Sequence, residues 1–351
     1  MERYIGIDAH KESCTVAVMG PTGRRLKELR VETNARALKE ALKSVSGERH
    51  VCLEEGEFSA WLFEVLEPLS ERTVVVQPPK REGSKSDSLD AWARADELRR
   101  GSVKPIYKAP SVYRSLREAV RGYEGVLRDS VRIKNRLRAV FRARGIQVRG
   151  EELDEASSRK EWLAKLPAAV RRRATLLGEE LDSVQGFRKQ AAQWVHEEAA
   201  KVPAVKLLST APGIGPVRSA QIVATVVSPH RFRTSRQFWS YCGLGIVTHS
   251  SSDWVKQGRS DWVRKQTMQT RGLNRNRNPM LKQVFKGAAL TTIQLKDAHP
   301  LKRRYAHLLT TTKPNLARLT IARNIAATVL AMWKNNEEYD PSKSERRPER
   351  G

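Results

Sequence analysis

The sequence predicts an α/β domain, then a long helical arm, then a mainly α domain. Three patterns carry this. Short apolar runs alternate with helical periodicity over residues 1–108. Residues 111–144 repeat apolar side chains at heptad-like spacing, which predicts a coiled-coil seam. Beyond residue 202 the helical pattern resumes behind a glycine-rich turn, Pro212-Gly213-Ile214-Gly215-Pro216. The expected domains are 1–108, 109–201 and 202–338, with 339–351 a charged, disordered basic tail.

Residues 3–9 read as a first strand through Tyr4, Ile5 and Ile7, and it carries Asp8 near its end. Residues 13–19 read as a second strand. The turn Gly20-Pro21-Thr22-Gly23 leads to a third at 25–31. Asn34 suits the N-cap of a helix over 34–43 whose apolar face is Leu38 and Leu42. A fourth strand, 50–53, ends on Glu54. An amphipathic helix over 59–69 carries Trp61, Leu62, Val65 and Leu66, and a fifth strand at 73–76 stops at Pro78-Pro79. Ser86 can cap a helix running to about residue 100. Asp87 and Asp90, three apart, then share one face of its first turn.

The arm helix over 111–144 has Leu116, Ala119, Tyr123, Val126, Ile133, Leu137 and Val140 on its seam, interrupted by Ser130. Residues 101–150 hold 13 Lys or Arg against 3 Asp or Glu, so Arg132, Lys134, Arg136 and Arg138 are candidates for a face that follows a phosphate backbone. A second helical region, 157–201, presents Leu163, Leu166, Val170, Leu176, Leu181, Val184 and Trp194 for folding back, or for self-association. In the last domain the Pro212–Pro216 turn resembles a helix-hairpin-helix element, with Gly213 and Gly215 as candidate phosphate contacts. Three adjacent serines, Ser250 to Ser252, lie in a polar stretch. Arg275 and Arg277 stand among the asparagines of 274–278, side chains suited to phosphates and base edges. A helix over 280–295 and another over 316–335 complete the core.

Composition narrows the chemistry. A net charge of +26 and a pI near 10.4 fit a polyanionic partner, with nucleic acid first. No apolar run approaches membrane-spanning length and no signal peptide is visible, so a cytoplasmic, nucleoid-associated protein is expected. Cys14, Cys52 and Cys242 are far apart in apolar settings and read as buried free thiols. Asp8, Glu54, Asp87 and Asp90 bring carboxylates to strand ends and a helix start. Such oxygen ligands suit Mg2+, with Mn2+ as the alternative, and two ions about 4 Å apart serve phosphoryl transfer. Helix capping is the plainer role for Asp87 and Asp90. An acidic first strand also occurs in actin-like kinases, but the phosphate loops such enzymes need are not visible.

Taken together, Gly6-Ile7-Asp8-Ala9-His10-Lys11, the acid Glu54 after an apolar strand and Lys85-Ser86-Asp87-Ser88-Leu89-Asp90-Ala91 resemble the DEDD motif of the insertion-sequence one-ten/eleven-eleven transposases. The stretch from Pro212 through Gly243-Leu244-Gly245 and the serine loop resembles that family's second domain. The resemblance implies a RuvC/ribonuclease H-like first domain, a coiled-coil linker and a last domain with a nucleophilic serine. It implies metal ligation by Asp8, Glu54, Asp87 and Asp90, and a covalent phosphoserine link to DNA through Ser251. It implies donor and target DNA, a guide (bridge) RNA, and a tetramer of two dimers as partners. Two departures matter. Glu55 follows Glu54 and is a rival ligand, and no glycine follows the serine, so Ser250 and Ser252 compete with Ser251. The alternatives are a RuvC-like endonuclease or junction resolvase that uses water, and a non-catalytic nucleic-acid-binding protein.

Overall fold

The computed structural model describes residues 1–78, 87–106, 112–249, 254–258, 261–264, 269–274, 276–295 and 299–345. They form two compact units, Met1–Ala109 and Pro110–Gly351.

The first unit is a six-stranded sheet in the order β3-β2-β1-β4-β5-β6. β1 (Glu2–Ala9), β2 (Ser13–Met19) and β3 (Arg25–Glu32) form the expected antiparallel meander. β4 (Glu48–Glu54) pairs parallel with β1, β5 (Arg72–Val76) parallel with β4, and the short β6 (Pro105–Ile106) closes the edge. Parallel pairing needs crossovers, and helices supply them. α1 (Ala35–Lys43) starts at Asn34, whose side chain accepts from the amide of Ala37 at 2.8 Å, as the sequence predicts. α2 (Ser59–Leu66) runs on into a 3-10 turn at Glu67–Leu69. These two helices cover one face of the sheet, burying Ile5, Ile7, Val51 and Leu53 against Leu38, Leu42, Leu62 and Leu66. α3 (Asp87–Arg99) covers the other face through Ala91, Trp92, Ala95 and Leu98. Ser86, its expected cap, lies outside the described residues.

The second unit begins with α4 (Val112–Arg142). The second helical region differs from expectation in that it is divided. α5 (Ala156–Ala164) and α6 (Ala168–Ala200) meet at Pro167, which removes an amide donor and starts a new helix. Leu177 and Leu181 are buried, whereas Leu176 is 61% exposed. α4 and α6 run antiparallel, with Gly122 against Trp194 at one end and Arg136 3.4 Å from Glu180 further along. Ser130 is buried within α4. The arm is no separate layer at its base: Leu116, Ala119, Val195 and Ala199 share one core with the helices that follow.

Those helices are α7 (Pro203–Ser209), α8 (Pro216–Val226), α9 (Ser235–Tyr241), α10 (Pro279–Ile293), α11 (Pro300–Leu308) and α12 (Pro314–Asn335). Ile222, Phe238, Phe285, Ala288, Ile321 and Ile325 fill their centre. Short strands that the sequence pattern does not reveal interrupt the helices. β7 (Ile246–His249) pairs with β10 (Gln269–Leu273), and β8 (Trp254–Gln257) with β9 (Asp261–Arg264). At the end expected to be disordered, Pro341–Glu345 forms α13. All three cysteines are free and buried.

Candidate functional site

Strand alternation decides which side chains of the first unit meet α3. Tyr4, Gly6 and Asp8 alternate with the buried Ile5 and Ile7. Cys52 and Glu54 alternate with Val51 and Leu53. The β1–β4 register pairs Gly6 with Cys52 and Ile7 with Leu53, so Asp8 and Glu54 occupy corresponding ends of neighbouring parallel strands. The helix rests on this face without a spacer. A Cβ placed on Gly6 would stand 1.9 Å from the carbonyl oxygen of Ala91 and 2.7 Å from the amide nitrogen of Ala95. Glycine is required there because two backbones touch. Asp90 precedes Ala91, the residue whose backbone meets Gly6.

Asp8 is mostly buried, with 15% of its side chain exposed, and its Oδ2 lies 3.2 Å from Nε2 of His10. Glu54 is 25% exposed. Its Oε1 lies 3.0 Å from Nε of Arg94, a guanidinium only 2% exposed as a residue. Arg94 also pairs with Glu97, while its Nη2 is buried with no hydrogen-bond partner among the described residues. A buried guanidinium needs a counter-charge, and Glu54 supplies part of it. The same cluster surrounds Cys52. Burial is the main cause that pushes its thiol up to about 12; Arg94 opposes the shift and Glu97 and Glu54 add to it. Glu55, the rival ligand, is exposed and accepts a hydrogen bond from the Ser59 hydroxyl at 3.0 Å.

Asp8 and Glu54 offer carboxylate oxygens, ligands that suit a hard divalent cation, with His10 beside the one and Arg94 beside the other. Asp8, Glu54 and Asp90 are not drawn to within 4.8 Å of one another. Among the described residues, the group that reaches that spacing is Glu2, Glu48 and His50, at the opposite ends of β1 and β4. Glu2 there accepts the Tyr4 hydroxyl at 2.6 Å, and Tyr4 stacks on His50. This second group belongs to the far edge of the sheet and shares no residue with the predicted tetrad.

In the second unit, Gly243-Leu244-Gly245 forms a clamp. Arg323 donates to the Leu244 carbonyl at 2.8 Å, Trp239 Nε1 to the Arg323 carbonyl at 2.9 Å, and the Asn274 amide to the Gly245 carbonyl at 3.1 Å. The β7–β10 pair springs from this clamp, with Ile246 opposite Leu273 at its base and His249 opposite Gln269 at its far end. The chain leaves β7 directly into Ser250.

Residues 5–144 match the DEDD transposase model of the IS110 family, and residues 205–306 match the transposase family IS116/IS110/IS902. The chain belongs to the IS110-family transposases. It is therefore a DNA recombinase, an enzyme with DNA as substrate. No curated protein matches the chain.

Within this transposase the predicted site residues fare differently. Asp8, Glu54 and Asp90 lie on the α3 side of the sheet's carboxyl end. Asp87 is in the first turn of α3, but its side chain lies outside the described residues, as do Ser250, Ser251, Ser252 and Arg275 altogether. On the arm, Arg132 pairs with Asp129 at 3.1 Å, Lys134 with Asp154, and Arg136 with Glu180. Arg138 borders a cleft with Arg142 and Arg149. Gly213 adopts φ +69 and packs against α10, where a Cβ would meet the Ala288 carbonyl at 2.3 Å; Gly215 is exposed at the start of α8. No helix among the described residues is long and apolar enough to cross a membrane. Sequence reasoning missed Arg94. Its signal was available as the position one turn after Asp90 on the same helix face.

Proposed function

We propose that this transposase cuts and rejoins donor and target DNA through a serine nucleophile, Ser251, acting with divalent-metal ligands Asp8, Glu54, Asp87 and Asp90. The observation that supports this most directly is the placement of Asp8 and Glu54 side by side, on the face against which α3 brings Asp90. Mg2+, or Mn2+ in its place, would be held by these carboxylates and would neutralise charge developing on the reacting phosphate. Asp8 and Glu54 are fixed by strand register, so their oxygens are ordered before substrate arrives. Arg94 holds Glu54 on one oxygen.

Ser251 attacks the phosphorus. Its Oγ–P bond forms as the P–O bond to the departing deoxyribose oxygen breaks, and that oxygen takes up the proton the serine gives up. The phosphoserine retains the energy of the phosphodiester, so a second strand's hydroxyl can reverse the step without ATP. A guide RNA choosing donor and target, and a tetramer of two dimers, complete the reading. The strong net positive charge supports it, because two nucleic-acid partners must be held.

The test is adduct trapping on suicide DNA substrates in Mg2+. Wild-type protein is expected to form a covalent protein–DNA adduct and Ser251→Ala none. Cleavage by Ser251→Ala at the wild-type rate would instead establish the water-using endonuclease. Sequencing the RNA that copurifies with the protein tests guidance, and a discrete species is the expected result.

A further inference from the structure

We infer that a basic cleft beside the β7–β10 pair binds a single-stranded segment of nucleic acid, with a phosphate on Arg233 and Arg277 and a base against Arg231 and Tyr241. The cleft has a volume of about 760 Å3. Among the described residues, three arginines, three asparagines and Gln237 line it, and no carboxylate does. An anion is the ligand that such a donor set lacks.

Its walls are built rather than incidental. Gly243 adopts φ +68, and a Cβ there would stand 1.9 Å from Cδ of Arg277, so the arginine stem is seated in the space a side chain would fill. Nη1 of Arg277 donates to the Asn274 carbonyl at 2.9 Å, while its Nε is buried and has no hydrogen-bond partner among the described residues. A desolvated donor of this kind is strongly favoured to find an acceptor. Lys282 adds charge behind it. Burial, then repulsion from Arg277 and Lys286, holds its ammonium below the usual lysine range.

The opposite wall supplies a stacking platform. Arg231 lies over the rings of Tyr241 and Phe232, at 5.6 and 5.7 Å, and its Nη1 is anchored on the Val226 carbonyl at 2.9 Å. Phe232 and Tyr241 are 5.2 Å apart, and Phe232 packs on the core residue Phe238. A guanidinium–aromatic stack beside further arginines that pair with no carboxylate among the described residues is the combination that holds unpaired bases. A duplex keeps its base faces hidden. The cleft borders the base of the β7–β10 pair at Asn274, the residue after β10.

This inference rests on the nucleic-acid reading above, and its test separates the two. Binding of full-length protein to a labelled oligothymidine, an oligouridine of equal length and a labelled duplex is followed by fluorescence anisotropy. Arg233 is exposed, so Arg233→Glu is expected to fold. It should weaken single-strand binding by about tenfold or more while changing duplex binding by about twofold at most. The stronger of the two wild-type single-strand affinities tells whether RNA or DNA occupies the cleft. Photo-crosslinking of bromouridine or bromodeoxyuridine strands to wild-type protein is expected to label the peptide spanning Arg231 and Tyr241. Equal losses on duplex and single strands, no loss on any probe, or crosslinks confined to other peptides would overturn the cleft. A wild-type protein that binds none of the three probes would overturn the nucleic-acid reading itself.

Discussion

The two units place their charged side chains in opposite ways. In the first, the acids stand on regular strands, and register places them: once Gly6 faces Cys52, Asp8 and Glu54 have no choice of neighbour. In the second, cations gather on loops and helix ends, and their positions depend on a clamp of long-range hydrogen bonds through Leu244, Arg323 and Asn274. A pair of strands places a carboxylate to within a fraction of an ångström with little sequence. A cleft built from loops needs a glycine at positive φ, a buried arginine stem and an anchored ring before it has a shape. The difference teaches that the proposed metal ligands and the proposed nucleic-acid contacts rest on separate local structures, so a substitution can be aimed at each alone.

The sharpest way to break the comparison is at the acids. On the proposed metal site, Asp8→Asn should reduce DNA strand transfer by about 10^3-fold or more, since it would remove a charged ligand where charge develops on the phosphate. Nucleic-acid binding by the second unit should remain within about twofold of wild type. Gel assays of strand transfer and anisotropy on the same preparation check both halves. A parallel loss of binding would mean that the two units are not independent.

Next in size is Gly6→Ala. A methyl group 1.9 Å from a backbone oxygen cannot be relieved by a rotamer change, so α3 must shift from the sheet. A stability loss of about 1–3 kcal/mol is expected, the range for overpacking a tight interface. Chemical denaturation monitored by circular dichroism measures it. Strand transfer should fall with it because Asp90 rides on the same helix, and an unchanged midpoint would show that the helix contact does not set the site.

These two substitutions mark what the sequence made legible. The meander, the two parallel strands and the acids at their ends were readable because strands alternate strictly, and apolar runs this short leave few alternative registers. Asn34 announced a helix start that the fold uses. The heptad reading of 111–144 located α4. The helical region behind it was read as one because Leu163, Leu166 and Val170 keep a three-and-four spacing across Pro167, where the chain in fact starts a new helix. The β7–β10 pair went unseen since its strands are four and five residues long and polar, too short for a period to show. Arg94 escaped for another reason. An arginine reads as a surface cation by default, and its burial shows only once α3 is seated on the sheet.

Arg94→Met comes third. It leaves Glu54 without its cation and Glu97 without an ion-pair partner on α3, and about 1–2 kcal/mol of stability should go, since both carboxylates left behind are partly reached by water. Arg94→Lys should recover part of it. If Arg94 also positions Glu54, Mn2+ binding followed by calorimetry will weaken in Arg94→Met and recover in Arg94→Lys. Destabilisation with unchanged Mn2+ affinity would leave Arg94 a purely structural cation.

The smallest effect tests the sheet side of the comparison through pH. The Cys52 thiol is pushed up to about 12, chiefly by burial, from an ordinary value of 9.0. Between those values the folded chain keeps a proton that the unfolded chain releases, so stability must fall as pH rises through this window and is fully present below about pH 9. Raising the pH from 8 to 10 should remove about 1 kcal/mol through Cys52 alone, and Cys52→Ala should lack that part of the slope. Cys242, buried in the second unit, is shifted in the same direction by burial alone, so it contributes a parallel decline that survives the Cys52 substitution. Denaturant melts at stepped pH, run on wild type and on Cys52→Ala, resolve the two. A slope unchanged by the substitution would place the pH sensitivity wholly in the helical unit. The Arg94–Glu54–Glu97 cluster would then be more open to water than its burial implies.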